Sequence, residues 1–285
     1  MKITLIGSNG QLGQDLTREL HPKHDLTTLT HQDIEVTNLE SVETLTKYNP
    51  EVIINTAAFH KTDQCEDQPT KTFQVNALGP KNLTAITQQI GAATIYISTD
   101  YVFSGTKKEP YNEEDTPDPI NTYGISKLAG ELYTKQNPKH YILRVASLFG
   151  AAGSSGKGGN FIETMLKKAK NNEQINVIDD IWMSPTYTKD AATLLQEILT
   201  QKLPYGTYHI TNQGKCTWYQ FAQEIFTQTQ ITANLNPVTH TQFKTKAKRP
   251  LNSALTSTKL PKYNLTPQNW KQALTTYLKE KNYLP

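Results

Sequence analysis

Short runs of apolar and β-branched residues recur along the first half of the chain. Each is followed by a stretch whose apolar positions return every three or four residues. The runs fall at 2–6, 26–29, 51–54, 95–98 and 140–145. Helical periodicity runs to residue 20, then over 39–48, 63–78 and 80–91, and resumes at 123. Continuous apolar runs of this length are the pattern of buried strands. Their regular alternation with helices predicts an α/β fold with a parallel sheet wrapped on both faces.

Past residue 150 the texture changes. Residues 151–160 (AAGSSGKGGN) are small and flexible, a linker or a loop that closes over substrate. Helices are expected at 161–170, 189–200, 217–226 and 266–279, with strands at 175–178 and 206–210. This divides the chain into a dinucleotide-binding unit over 1–150, to which 174–202 returns, and a smaller C-terminal substrate domain of 151–173 and 203–285.

Composition narrows the classes. No stretch approaches 18 apolar residues, so no membrane span is expected. The first strand begins at Lys2, which leaves no room for a signal peptide. Two cysteines, Cys65 and Cys216, make no disulfide framework and suit a reducing cytoplasm. A net charge of +3 does not call for nucleic acid. A basic run, Lys244, Lys246, Lys248 and Arg249, reads as a solvated surface or as a local anion site.

The chemistry lies at the strand ends. Gly7, Gly10 and Gly13, with Gln11 and Leu12 between them, turn the first strand into the first helix. That spacing in that place fits a Rossmann-type dinucleotide fingerprint, in which the backbone approaches a pyrophosphate and helix amides receive its charge. The acid that reads the ribose is expected about 20 residues on, at Asp33 or Glu35, and the choice between NADH and NADPH stays open. Ala57 and Ala58 follow the third strand, where small residues let a cofactor lie close. Thr99, Asp100 and Tyr101 follow the fourth. Tyr123 and Lys127 stand one helical turn apart, so an ammonium is expected to lower the phenol's pKa for proton transfer. Thr99 would hydrogen-bond the same substrate oxygen. A second Tyr-x-x-x-Lys, at Tyr277 and Lys281, sits in a polar terminal helix and reads as structural.

Ten segments carry a resemblance: GSNGQLG at 7–13, NTAAFHKTDQCED at 55–67, FQVNALGP at 73–80, STDYVFSG at 98–105 and PYNEED at 110–115, then TYGISKLAGE at 122–131, GGNFIETML at 158–166, SPTYTKD at 184–190, TWYQFA at 217–222 and RPLNSAL at 249–255. In this order, over nearly the whole chain, they resemble the dTDP-4-dehydrorhamnose reductase family of extended short-chain dehydrogenases/reductases. The resemblance implies reduction of a dTDP-4-keto-6-deoxy-hexose to dTDP-L-rhamnose by NADH or NADPH. It makes Thr99, Tyr123 and Lys127 the catalytic set, with Lys127 also on the nicotinamide ribose. Asn76 joins the glycines and alanines along the dinucleotide. Asp100 and Tyr101 would lie at the sugar, Asn160 and Arg249 nearer the nucleotide diphosphate. A homodimer is compatible with it. No set of metal ligands is expected, although Asp15 is a carboxylate that a Mg²⁺ ion at a subunit contact would use.

The chain departs from this pattern in places. Residues 144–147 read Arg-Val-Ala-Ser where the family usually has Arg-Thr-Ser-Trp, so the Trp expected at the sugar is absent. Trp182 precedes Ser-Pro-Thr and is either a substitute or packing, and His31 stands where an Arg is common. Two other functions share these features: a reductase or epimerase of another nucleotide sugar, and a catalytically silent regulatory subunit. Retention of Thr99, Tyr123 and Lys127 together argues against the second.

Overall fold

The computed structural model describes residues 1–152 and 159–284. In chain order the first part comprises β1 (Lys2–Ile6), α1 (Gln11–Leu20), β2 (Asp25–Leu29), α2 (Leu39–Glu43) and β3 (Val52–Asn55). There follow α3 (Thr62–Asp67), α4 (Pro69–Phe73), α5 (Gly79–Ile90), β4 (Ala93–Thr99), α6 (Thr122–Thr134), β5 (His140–Val145) and β6 (Leu148–Phe149). The remainder holds α7 (Phe161–Lys170), β7 (Ile175–Ile178), β8 (Trp182–Met183), β9 (Thr186–Tyr187) and α8 (Thr188–Thr200). Last come β10 (Gly206–His209), β11 (Cys216–Thr217), α9 (Trp218–Thr229), β12 (Leu235–Val238) and α10 (Trp270–Glu280).

Six strands pair in the order β10-β5-β4-β3-β1-β2, all parallel. Both faces are covered, as apolar strands such as β3 and β4, buried throughout, require. On one face Leu12, Leu16 and Leu20 of α1 and Leu194, Leu195 and Ile198 of α8 pack on Ile3, Leu5 and Ile95. On the other, Leu83 and Ile86 of α5 join Val42 and Leu45 against Ile6 and Ile53. Because β2 and β3 flank β1 on opposite sides, the strand order reverses there, and the carboxyl ends splay to leave a crevice.

A second cluster lies beyond the sheet. Ile162 and Met165 of α7, Phe221 and Ile225 of α9, and Leu274 and Tyr277 of α10 close on Phe149 and Tyr187. The terminal helix expected to be polar is therefore amphipathic, with Tyr277 fully buried.

Two strands exchange the places expected of them. Residues 175–178 do not return to the main sheet. They pair with β12, and Ile175 and Val177 pack in the second cluster. Residues 206–209, expected in the substrate half, form the sheet's edge beside β5, with Tyr208 in the first cluster. Of 174–202, the helical part α8 does cover the sheet. The expected helix over 63–78 breaks at Gln68 because Pro69 starts a new one. Pro80 sits in the first turn of α5, as expected, and a π turn at Gln74–Leu78 leads directly into that helix.

Candidate active site

The carboxyl ends of β1, β3, β4 and β5 open onto a cleft of about 1090 Å³. Its floor is built by glycines. Gly7 has φ +81°, and a Cβ there would lie 2.5 Å from Thr56 Oγ1. At Gly13 a Cβ would come within 2.2 Å of the Gly7 carbonyl oxygen, so α1 sits as close to the turn as two backbones allow. Gly10 caps α1 without a side-chain acceptor, which leaves first-turn amides for an anion. Gln11, only 9% exposed, lines the cleft with an Nε2 that has no hydrogen-bond partner. A donor left unpaired in this way is costly unless a ligand's oxygen meets it. Cradle and orphaned donor together fit a nicotinamide dinucleotide. Leu12, Ala57 and Ala58 line the same wall.

The two candidate acids part company. Glu35 lines the cleft and accepts from Thr37 N (3.0 Å) and Oγ1 (2.8 Å). Burial works against its ionisation, but those bonds, with His31 and Lys71 nearby, hold its carboxyl below the usual range. Asp33 is exposed, turned back onto Thr30 N and Oγ1 (2.8 and 2.7 Å), and does not reach the cleft. Its short side chain satisfies its own turn instead.

At the other end, α6 is pressed against the end of β4. Asn121 caps it through Gly124 N (2.8 Å), and a Cβ on Gly124 would lie 2.1 Å from the Tyr101 carbonyl oxygen. This places the Tyr123 phenol close enough to Thr99 for the threonine side chain to oppose the rise in its pKa, and sets its ring edge-on to Tyr101, centroids 5.9 Å apart. Thr99 Oγ1 donates to Asp100 Oδ1 (2.9 Å) and accepts from Tyr101 N (3.2 Å).

Burial outweighs the lowering of the phenol's pKa that was expected from Lys127. Burial pushes the Tyr123 pKa up, with only the Thr99 hydrogen bond opposing it. Lys127, 2% exposed, donates from Nζ to the Ile97 carbonyl (2.6 Å) and lies 4.1 Å over the Tyr96 ring. Its charge is directed at the β4 backbone, and burial pulls its pKa down to about 7 against the pull of Glu131 one turn further on. Glu131 was not singled out from the sequence. It is fully buried and bridges Arg144 through Nε (2.8 Å) and Nη2 (2.7 Å), with Ser98 Oγ donating to it (2.6 Å).

Other expected positions fall differently. Asn76 does not line the cleft; its amide clamps Phe59 N and O (both 2.9 Å) to Ser126 Oγ (3.0 Å), which holds the β3 end in place. Asn160 does line it, but caps α7 through Glu163 N and donates to Gly150 O (3.2 Å) and Tyr277 Oη (3.0 Å). Tyr277 and Lys281, the second Tyr-x-x-x-Lys, both engage Glu163. Arg249 stands behind the wall, paired with Asp63 (3.1 Å) and 6.0 Å from the Tyr101 ring centroid, while Lys246 pairs with Asp67 at the surface. Tyr101 itself lines the cleft, as does Asp100. Trp182 faces a separate cleft beside Lys215. Ser147, where the family carries Trp, lines the main cleft at φ +41°. Aromatic wall is supplied instead by Phe161, Trp218 and Phe221, which no motif had marked as facing a ligand. Of the small-residue stretch read as a linker or a loop closing over substrate, 153–158 lie outside the described residues. Asp15 accepts from Arg18 (2.9 Å) and Thr188, and among the described residues no group of three or more His, Cys, Asp or Glu could hold a metal ion. Nor is any described helix long and apolar enough to cross a membrane.

Residues 1–283 match the family model described as the RmlD substrate binding domain. Bacillus subtilis spore coat polysaccharide biosynthesis protein SpsK is 35% identical over 284 residues, 99% of this chain and 98% of that one. A dTDP-4-dehydrorhamnose reductase from Clostridium acetobutylicum superposes with a TM-score of 0.93 at 38% identity, covering 99% of this chain and all of the other. The Bacillus anthracis dTDP-4-dehydrorhamnose reductase, solved in complex with NADP, gives 0.92 at 36% identity, covering 98% and 100%. The chain belongs to the dTDP-4-dehydrorhamnose reductase family.

Proposed function

We propose that this protein reduces the 4-keto group of a dTDP-4-dehydro-6-deoxy-L-hexose to give dTDP-L-rhamnose. The observation that carries this reading is the meeting of Thr99 and Tyr123 in the cleft that also holds the glycine cradle. The dinucleotide, when bound, supplies the hydride. The residues that would hold it are Gly7, Gly10, Gln11, Leu12 and Gly13 at the diphosphate, Ala57 and Ala58 along its length, and Lys127 at the nicotinamide ribose. Glu35 would accept from a ribose 2′-hydroxyl, while His31 and Lys71 beside it would meet a 2′-phosphate, so use of both NADH and NADPH is expected.

Tyr123 carries its proton firmly in the buried cleft and gives it to O4 as charge develops there. Thr99 lies beside the phenol that serves this oxygen, and the buried Lys127 cation favours negative charge at this end of the cleft. Tyr101, with Arg249 behind it, and Asn160 face the nucleotide-sugar side. Residues around the second apolar cluster would form the substrate half.

Oxidation of NADPH and of NADH by the dTDP-keto sugar, followed at the nicotinamide absorbance with product analysis, tests the reading. Tight dinucleotide binding without turnover would favour the silent subunit, and turnover of another sugar alone would reassign the substrate. Arg249→Ala is expected to raise the KM for the nucleotide sugar about tenfold and the KM for the cofactor hardly at all. The opposite order, in steady-state kinetics with each substrate varied, would misplace Arg249.

A further inference from the structure

We propose that Asp100 is a positioning residue for proton delivery: through the Thr99 hydroxyl it governs whether Thr99 accepts from or donates to the Tyr123 phenol, and it holds the proton that restores that phenol. The inference rests on Tyr123 being the acid.

Thr99 has one hydroxyl hydrogen, and it is given to Asp100 Oδ1 at 2.9 Å. Its oxygen accepts from Tyr101 N at 3.2 Å, and Thr99 also acts on the phenol of Tyr123. While Asp100 is a carboxylate, Thr99 can only accept from Tyr123, and it has no hydrogen to offer a phenolate. When Asp100 carries a proton, it donates to Thr99 Oγ1, and the threonine hydrogen turns to Tyr123 Oη. The protons then balance along the chain. Tyr123 O–H passes its proton to substrate O4, Thr99 passes its own to Tyr123 Oη, and Asp100 passes one to Thr99 Oγ1. Asp100 ends as a carboxylate, a solvent proton restores it between turnovers, and no electrons move along this path.

A second observation points the same way. Asp100 lines the cleft, is 4% exposed, and its Oδ2 is buried with no hydrogen-bond partner. An ionised carboxyl with an orphaned oxygen is the form this environment disfavours. Burial accordingly raises its pKa to about 6, with the Ser253 and Thr99 side chains opposing. The other groups facing it are Tyr101 on its own turn, Tyr123 on α6, and Arg249 behind Tyr101, whose charge is held by Asp63.

The test compares wild type with Asp100→Asn in kcat for reduction from about pH 5 to about pH 9. Wild-type kcat is expected to fall about tenfold per unit above the Asp100 pKa. The variant should be about tenfold or more slower at low pH and show no limb near about pH 6, keeping only the fall above about pH 7 that loss of the Lys127 charge gives both forms, because an amide offers Thr99 a hydrogen at every pH but cannot surrender it. A variant that keeps the wild-type rate and the wild-type alkaline limb overturns the inference and leaves the proposed reaction standing. Infrared titration of the wild-type carboxyl reads Asp100 without any turnover, so it serves even if the variant does not fold or no keto sugar is reduced. A buried carboxyl band that disappears between about pH 5 and about pH 7 supports the proposal, and full ionisation below that range sinks it.

Discussion

Tyr123→Phe lowers turnover by about three orders of magnitude and leaves dinucleotide affinity within about twofold. The ring remains wedged edge-on against Tyr101, and α6 keeps its cap at Asn121 and its close approach at Gly124, so the cleft does not change shape. What disappears is the hydroxyl beside Thr99, and with it the proton proposed to follow the hydride onto the substrate. The loss therefore falls on kcat, with the KM for the cofactor nearly unchanged. Single-turnover kinetics and a dinucleotide titration measure the two separately. A variant with wild-type kcat would remove Tyr123 from the chemistry altogether.

The second large effect is on stability. Glu131→Ala is expected to cost about 3–5 kcal/mol, read from the urea midpoint at constant slope. Glu131 is fully buried, and both its oxygens hold Arg144, itself 2% exposed. Without the carboxylate, Arg144 keeps only a 3.4 Å approach to His209 Nε2 and the face of Phe103 at 5.1 Å. A guanidinium stranded in that setting cannot recover its hydration. Activity should fall too, because Glu131 is the group that favours a charged Lys127 one turn away. Loss of the anion leaves the lysine more fully deprotonated at neutral pH. Glu131→Gln, which keeps the shape and part of the hydrogen bonding, should recover some stability but not the charge on Lys127. A destabilisation below about 1 kcal/mol in the alanine variant would mean that the pair is already wet or already redundant.

Much of the site was readable along the chain because it depends on local spacing. A glycine turn between strand and helix places Gly7, Gly10 and Gly13 whatever the rest of the fold does. A Tyr and a Lys four residues apart share a helix face by geometry alone. Glu131, a further four residues on, was open to the same reasoning and was missed. Asn76, Asp33 and Arg249 could not be placed this way. Their roles turn on which partner a polar group reaches first: Phe59 and Ser126 for the amide, Thr30 for the carboxylate, Asp63 for the guanidinium.

By itself, then, the order of residues settled the type of the longer strands and helices, the parallel α/β architecture and the chemistry available at the strand ends. Apolar period and turn composition act over a few residues, and those are the scales at which backbone conformation is decided. Tertiary structure alone decided that β10 and not β7 completes the sheet, that Lys127 points at the Ile97 carbonyl rather than at the phenol, and that burial raises Tyr123 where a neighbouring cation was expected to lower it. Strand partners, dielectric surroundings and the direction of a long side chain are set by residues far away in sequence, so no local pattern carries them.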